Sequence, residues 1–406
     1  MHYVGIDWAD VEPQSFVILT HQGNGIKDQG KFERSVEGLG NFIEHLQQLS
    51  PDPSQIAIGI DHKGGLTTST LMAEGYQVYA INPKSADRAR DIYRPAGGKD
   101  DKTDAFVHAK MVQAGCGGAK PLRPRSSVDK QLSELLRLRR NLVKNRTQQK
   151  QMLGSILSRI APALRTLCGA FQTQWVRAML QRFPLHQDLC EVHGNTLNAF
   201  FAKHRMQKKT EQKIRRVRKQ KPVIYNNQQA NTHRLQVRSL LRSICAIDEQ
   251  IEALNERIEE LGNQHRDQQI YQSLPNDSEV TLAGLCSAFG PRRQDAPRWR
   301  QYASFFGLCP VTNQSGDRRE VRKRLAYDRV LYQSFINLAD SSKNRKDCWA
   351  SSYYQNKRNE GKGHHHALRC LAHKWVKILH AMWRNRTPYD EEFHRNNRRK
   401  HQMQSS

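Results

Sequence analysis

Seven residues, Lys99-Asp100-Asp101-Lys102-Thr103-Asp104-Ala105, open a predicted helix and carry its chemistry. Asp101 and Asp104 stand three apart, so the helix presents both on one face. Like charges so placed repel, and a divalent cation turns that repulsion into coordination, because Mg²⁺ and Mn²⁺ take carboxylate oxygens. Capping is the plainer use of such a cluster, since Asp is favoured at helix N-termini. Two more acids close apolar runs: Asp7 in HYVGIDWA (2–9) and Asp61 in QIAIGID (55–61). A third candidate is Ser315, followed by Gly316, Arg318 and Arg319 in GLCPVTNQSGDRR (307–319). A serine hydroxyl is a weak nucleophile that needs activation, and guanidinium forks can clamp phosphate oxygens bidentately. Ser-Gly is also an ordinary turn pair.

The elements that must position these residues follow from pattern. Strands are expected at 2–9, 15–20 and 29–34, a helix at 36–49, a strand at 55–61, a helix at 66–74, a strand at 76–82, and a helix from Pro83 to about Tyr93. Three strands, then a helix, then alternating strands and helices, with acids at two strand ends and a late helix, is the layout of an α/β ribonuclease-H-like fold. Its metal ions serve in-line phosphoryl chemistry. The first domain is assigned to 1–120.

Residues 121–274 read as a coiled-coil arm. Leu132, Leu135, Leu138, Leu142, Leu153 and Ile156 lie along one helical stretch, and Leu241, Ile244, Ile251, Leu254, Ile258 and Leu261 recur at heptad spacing along another. An insertion at about 170–235 separates them. Its run 203–221 holds ten Lys/Arg and one Glu; Arg215, Arg216, Arg218 and Lys219 are its candidate nucleic-acid contacts. Residues 275–406 read as an all-α domain, with helices near 278–290, 299–308, 328–341, 347–359 and 364–383 and a basic tail (Arg395, Arg398, Arg399, Lys400). His366, His373 and His380 recur every seven residues, which spaces them about 10 Å apart along a helix, too far for one zinc ion.

The net charge of the 406 residues is +26. Residues 1–120 carry 12 Lys/Arg and 15 Asp/Glu, a net of −3, so the rest carries +29. An acidic head on a basic body fits a metal-binding domain joined to one that grips nucleic acid. Eight scattered cysteines without a Cys-x-x-Cys pair read as reduced thiols. No apolar run is long enough to span a bilayer and no signal peptide is evident, which points to a cytoplasmic protein with no membrane role.

With all segments in view the chain resembles the DEDD-type transposases of the bacterial insertion-sequence one-ten family. The resemblance rests on YVGIDWA (3–9), INPKSADRARD (81–91), PAGGKDDKTDAFVHA (95–109), GLCPVTNQSG (307–316) and the stretch from WASSYYQNKRN (349–359) to RTPYDE (386–391). It implies a RuvC-like domain with metal-binding Asp7, Asp61, Asp101 and Asp104, a C-terminal transposase domain with Ser315 as nucleophile, and Mg²⁺ or Mn²⁺ as cofactor. The second family position is usually Glu, so Asp61 is a departure; His62 and Glu74 are the fallbacks. The resemblance also implies a structured noncoding guide (bridge) RNA pairing with donor and target double-stranded DNA, action at the bacterial nucleoid, and a homo-oligomer, dimer or tetramer. The expected function is therefore a serine-and-metal DNA recombinase that mobilises an insertion element. The alternatives are a metal-dependent junction-resolving endonuclease without serine chemistry, and a degenerate protein that binds nucleic acid without cutting it.

Overall fold

The computed structural model describes residues 1–9, 11–20, 25–61, 64–93, 100–118, 120–290, 297–316 and 318–394. The chain divides into two compact units, residues 1–125 and 126–406.

In the first unit, strands β1 (His2–Asp7), β2 (Gln14–Leu19) and β3 (Ile26–Phe32) precede α1 (Val36–Leu49), followed by β4 (Ile56–Ile60), α2 (Gly65–Ala73), β5 (Gln77–Ala80), α3 (Pro83–Tyr93) and α4 (Asp101–Gln113). The sheet order is β3-β2-β1-β4-β5. β1, β2 and β3 run antiparallel, while β1–β4 and β4–β5 are parallel. Alternation divides the strand residues between two faces. Val4, Ile6, Phe16, Ile18, Ile58 and Ile60 pack on one core with Leu39, Phe42 and Leu46 of α1. Val17 and Leu19 face the other way, against Ala105, Phe106 and Ala109 of α4. The mixed α/β sheet expected at the N-terminus is present.

Two glycines set how closely α4 approaches. A Cβ on Gly5 would stand 1.9 Å from the Ala105 carbonyl oxygen and 2.4 Å from the Ala109 nitrogen. One on Gly59 would stand 2.6 Å from Val112 Cγ2 and 2.8 Å from the His108 oxygen. Helix backbone cannot yield as a flexible side chain can. Gly5→Ala should therefore lower the stability of this unit by about 1–3 kcal/mol or more, read as a lower denaturant midpoint. An unchanged midpoint would show that α4 is free to lift.

The second unit is mostly helical. α5 (Ser127–Ile160), α6 (Pro162–Arg165), α7 (Gln174–Arg182), α8 (His186–Glu191), α9 (Gly194–Lys203), α10 (Lys208–Arg218) and α11 (Asn227–Asn263) are followed by α12 (Gln268–Gln272), α13 (Glu279–Cys286) and α14 (Trp299–Phe305). Then come β6 (Val311–Ser315), β7 (Arg318–Arg322), α15 (Arg329–Lys343), α16 (Trp349–Asn359) and α17 (His364–Asn385). α5 and α11 lie antiparallel. Arg139 Nε donates to Asn255 Oδ1 at 2.6 Å and Arg146 Nη1 to Asp248 Oδ1 at 2.7 Å.

The fully buried apolar contacts of α5 gather toward the two ends of the pair. Near one end Leu132 and Leu136 meet Ile258 and Leu261; near the other Leu153, Ile156 and Leu157 meet Leu241 and Ile244. Between Leu136 and Leu153, α5 buries no residue, and its Arg139 and Arg146 bond across to α11. The segment read as an insertion caps one end. Val176, Met179, Leu180, Leu197, Phe200, Phe201 and Ile214 from α7, α9 and α10 complete the core with α5 and α11.

A buried hydrogen-bonded pair fastens the other end. His265 Nε2 donates to Asp129 Oδ1 at 3.0 Å, and the Ser126 hydroxyl donates to Asp129 Oδ2 at 2.9 Å. Burial alone would raise the Asp129 carboxyl, but these hydrogen bonds outweigh it and hold it below the usual Asp value. A depressed folded-state pKa contributes stability above about pH 4 that is lost as pH falls through the lower value. Asp129→Ala should cost about 1–3 kcal/mol, with the deficit shrinking on acidification. A deficit independent of pH would exclude the Asp129 carboxylate as its source.

The C-terminal region departs from the all-α expectation. Its core is helical, around Phe306, Phe335, Trp375 and Trp383, but the stretch between the helices expected near 299–308 and 328–341 carries the β6–β7 hairpin, paired from Val311↔Arg322 to Ser315↔Arg318. The basic tail from Arg395 lies outside the described residues.

Candidate active site

In-register pairing of Ile6 with Ile60 leaves Asp7 and Asp61 as neighbours at the C-terminal ends of two parallel strands. By alternation both share a face with Gly5 and Gly59, the face that α4 covers. α4 crosses it with its N-terminal turn over the strand ends. His108 Nδ1 donates to the Ile6 carbonyl oxygen at 2.8 Å, and Asp104 lies one turn before His108. Burial holds the His108 imidazole below its ordinary pKa, against the opposing pull of the Ile6 carbonyl, Asp61 and Asp104. Three carboxylates, Asp7, Asp61 and Asp104, thus belong to one end of one face.

Their side chains differ in circumstance. Asp104 is 14% exposed and accepts from Arg90, with Nε at 2.8 Å. Asp101 is 58% exposed and pairs with Lys31 at 3.5 Å. Asp100 is the N-cap of α4, accepting from the Thr103 N–H, so the capping use falls to it. Asp61 Oδ1 is buried without a hydrogen-bond partner. An unsatisfied buried acceptor is costly, and a cation would satisfy it. Among the described residues no three His, Cys, Asp or Glu side chains are gathered as a metal cage. Arg90 and Lys31 neutralise Asp104 and Asp101 instead. The acid set fits a divalent ion in residue type and backbone placement, with Asp104 shared between Arg90 and any such ion. Of the fallbacks, Glu74 is the C-cap of α2, and His62 lies outside the described residues.

Ser315 is exposed at the last residue of β6. Gly316 adopts φ +55°, the left-handed conformation that a two-residue hairpin turn favours. Arg318 pairs directly opposite Ser315, so the two side chains project from the same face of the ribbon, their Cβ atoms about 5 Å apart. Arg319 pairs with Gln314 and faces the other way. The acids belong to the first unit and Ser315 to the second.

The basic run is partly structural. In α10, Ile214 and Val217 are buried. Arg215 bonds to Asn198 Oδ1 at 2.7 Å and lies over the Phe201 ring, and Arg218 bonds to the Val192 carbonyl at 2.5 Å. Arg216 and Lys219 are exposed. Of the histidine series, His380 bonds to the Pro297 carbonyl at 3.1 Å and His373 packs edge-on to Trp299.

Sequence reasoning passed over Gly5, Arg90 and His108. Gly5 had a signal, an isolated glycine in an apolar strand, which marks close backbone approach. Arg90 and His108 had none, because their roles depend on tertiary neighbours.

A transposase family model (DEDD_Tnp_IS110) matches residues 4–162, and a second, described as transposase of the IS116/IS110/IS902 family, matches residues 268–355. The chain is 24% identical over 405 residues to the IS117 mini-circle protein of Streptomyces coelicolor, covering 96% of this chain and 95% of that protein. It is 26% identical over 382 residues to the 43.6 kDa protein of insertion element IS110 from Streptomyces coelicolor, covering 91% and 93%. It is 25% identical over 345 residues to the 42 kDa protein of IS900 from Mycobacterium paratuberculosis, covering 83% and 85%. With its two ends matched by these models and relatives spanning nearly its whole length, the chain belongs to the IS110 family of insertion-element transposases.

Proposed function

We propose that this transposase cuts and rejoins DNA through Ser315, with Asp7, Asp61, Asp101 and Asp104 as ligands for Mg²⁺ or Mn²⁺. The observation that carries the metal half is the buried, unpartnered Asp61 Oδ1 on the face where Asp7 and Asp104 also belong. The strand order supports reading the first unit as ribonuclease-H-like and RuvC-like. The three-part division, residues 1–120, 121–274 and 275–406, is proposed on function: metal binding, nucleic-acid grip and strand transfer.

Ser315 Oγ attacks a backbone phosphorus, forming an O–P bond as one strand P–O bond breaks, and the serine proton ends on the departing strand hydroxyl. Reversal by another strand's hydroxyl rejoins DNA without ATP. Arg318, on the same ribbon face, neutralises the attacked phosphate. When bound, the divalent ion would polarise phosphate and stabilise the leaving oxygen. Asp7, Asp61, Asp101 and Asp104 would hold it; His108 stays neutral and fixes α4 to β1.

Guidance by a structured bridge RNA, pairing with donor and target duplexes, is proposed from the family pattern and the +29 charge of residues 121–406. Arg216 and Lys219 are exposed candidates for its backbone. A homo-oligomer, dimer or tetramer, is proposed on the same basis, as is action at the nucleoid; no described helix is long and apolar enough to cross a membrane. Chelation tests the metal half. EDTA should abolish strand exchange on element-end DNA, and excess Mg²⁺ should restore it; exchange undiminished by EDTA would remove the carboxylates from the reaction.

A further inference from the structure

We propose that the cavity at the root of the β6–β7 hairpin is a second phosphate site, holding the DNA backbone a short way along the strand from the phosphate that Ser315 attacks. The cavity measures about 380 Å³ and is walled by Arg322, Lys323, Arg324, His366, Arg369 and His373, with no carboxylate among its lining residues. Four guanidinium or ammonium groups around one hollow repel one another unless an anion joins them. Part of that charge has protein partners: Arg322 pairs with Glu320 at 2.6 Å, and Lys323 lies over the rings of Tyr327 and Tyr332. Arg324 is different. Its Nε is buried and has no hydrogen-bond partner, which is costly for a charged donor. The missing acceptor belongs in this cavity.

A phosphodiester suits the hollow better than a carboxylate ligand. Its oxygens accept from several donors at once, and Arg is the residue suited to planar, bidentate recognition of phosphate. Leu308, Pro310 and Tyr353 add an apolar side to the wall, suited to a sugar. The ribbon geometry then fixes the register. Arg322 pairs with Val311 at the root and Arg318 with Ser315 at the tip, and by alternation both arginines share Ser315's face, with Glu320 between them engaging Arg322. Four strand residues separate root from tip, about 13 Å at 3.3 Å per residue. The backbone path between neighbouring phosphates is longer than the ~3.4 Å rise along a duplex axis, so that distance spans only about two nucleotides. A strand reaching from the cavity to the tip would thus be gripped by Arg324 and Arg369 at the root and by Arg318 at the tip, with the phosphate at Ser315 held in line.

This inference rests on the reading of the chain as a DNA-transferring enzyme, and its test separates the two. The full-length protein is titrated with a fluorescein-labelled mixed-sequence duplex over a range of salt. Arg369→Ala and Arg324→Ala should each weaken binding and flatten log Kd against log [salt] by roughly 0.9 for each phosphate left without its cation. Lys377→Ala, an exposed cation of α17 outside the cavity, is the reference. Should Arg324→Ala unfold the chain, Arg369→Gln, at a half-buried position, carries the same question. Replacing chloride by inorganic phosphate at constant ionic strength should weaken wild-type binding more than that of Arg369→Ala. Salt slopes for the cavity variants matching that of Lys377→Ala would overturn the proposal. So would competition by inorganic phosphate without any change in slope, which would leave a free-anion site only. Covalent attachment of DNA at Ser315 is scored separately, so an inactive serine does not count against the cavity.

Discussion

Ser315→Ala should yield a folded protein that binds DNA and transfers no strand. The substitution removes one exposed oxygen at a ribbon tip whose backbone pairing with Arg318 is independent of the side chain. Surface changes of that kind stay within about 0.5 kcal/mol, so denaturation should match wild type. Binding should match too, because the neighbouring cations are untouched. Activity should fall by about 10⁴-fold or more, as expected when a covalent nucleophile is deleted. The split is diagnostic: no general loss of structure removes turnover while sparing both stability and affinity.

The second large effect is at Asp61. Asp61→Asn should abolish strand exchange and, in metal-free buffer, raise the stability of the protein. The carboxylate oxygen Oδ1 is buried without a partner. A buried acceptor without a partner costs stability, so replacing the carboxylate relieves a cost that a bound cation otherwise offsets. Added Mg²⁺ should then raise the melting temperature of wild type but not of Asp61→Asn, since a ligand stabilises only the state that binds it. Asp61→Glu should keep exchange, because it restores the carboxylate usual at this family position. A destabilised Asp61→Asn, or Mg²⁺ raising both melting temperatures alike, would show that Asp61 has a structural task instead.

The legible parts of the fold share one property: they bury apolar residues in a regular period. β1 and β4 are apolar runs, so pattern alone puts the acids that close them, Asp7 and Asp61, at strand ends. The hairpin around Ser315 is illegible for the opposite reason. VTNQS and RREVR bury none of their ten residues, so no alternation exists to betray strands, and only the Ser-Gly pair signals the turn. The arm is half legible. α11 has its heptads, and Ile244, Ile251 and Ile258 are buried, but the facing stretch of α5 answers with Arg139 and Arg146. Along the basic run, counting charge finds ten cations but cannot separate Arg218, bonded to the Val192 carbonyl, from exposed Arg216. Charge is visible in sequence, whereas its partner is a property of the fold.

The same distinction explains the acids. Spacing puts Asp101 and Asp104 on one helical face, while tertiary structure gives them Lys31 and Arg90. Arg90 is therefore the residue that any cation must share Asp104 with. The sequence carries no sign of it beyond an arginine in a polar helix.

The central claim is a covalent bond between DNA and Ser315. Reactions of the wild-type protein on element-end DNA, quenched in denaturant and digested with protease, should give a DNA-linked peptide whose fragmentation places the phosphate on Ser315. The adduct should be absent from Ser315→Ala and from EDTA-treated wild type. Strand cleavage by Ser315→Ala, together with free DNA ends and no adduct in the wild type, would contradict the account and leave a metal-dependent nuclease in its place.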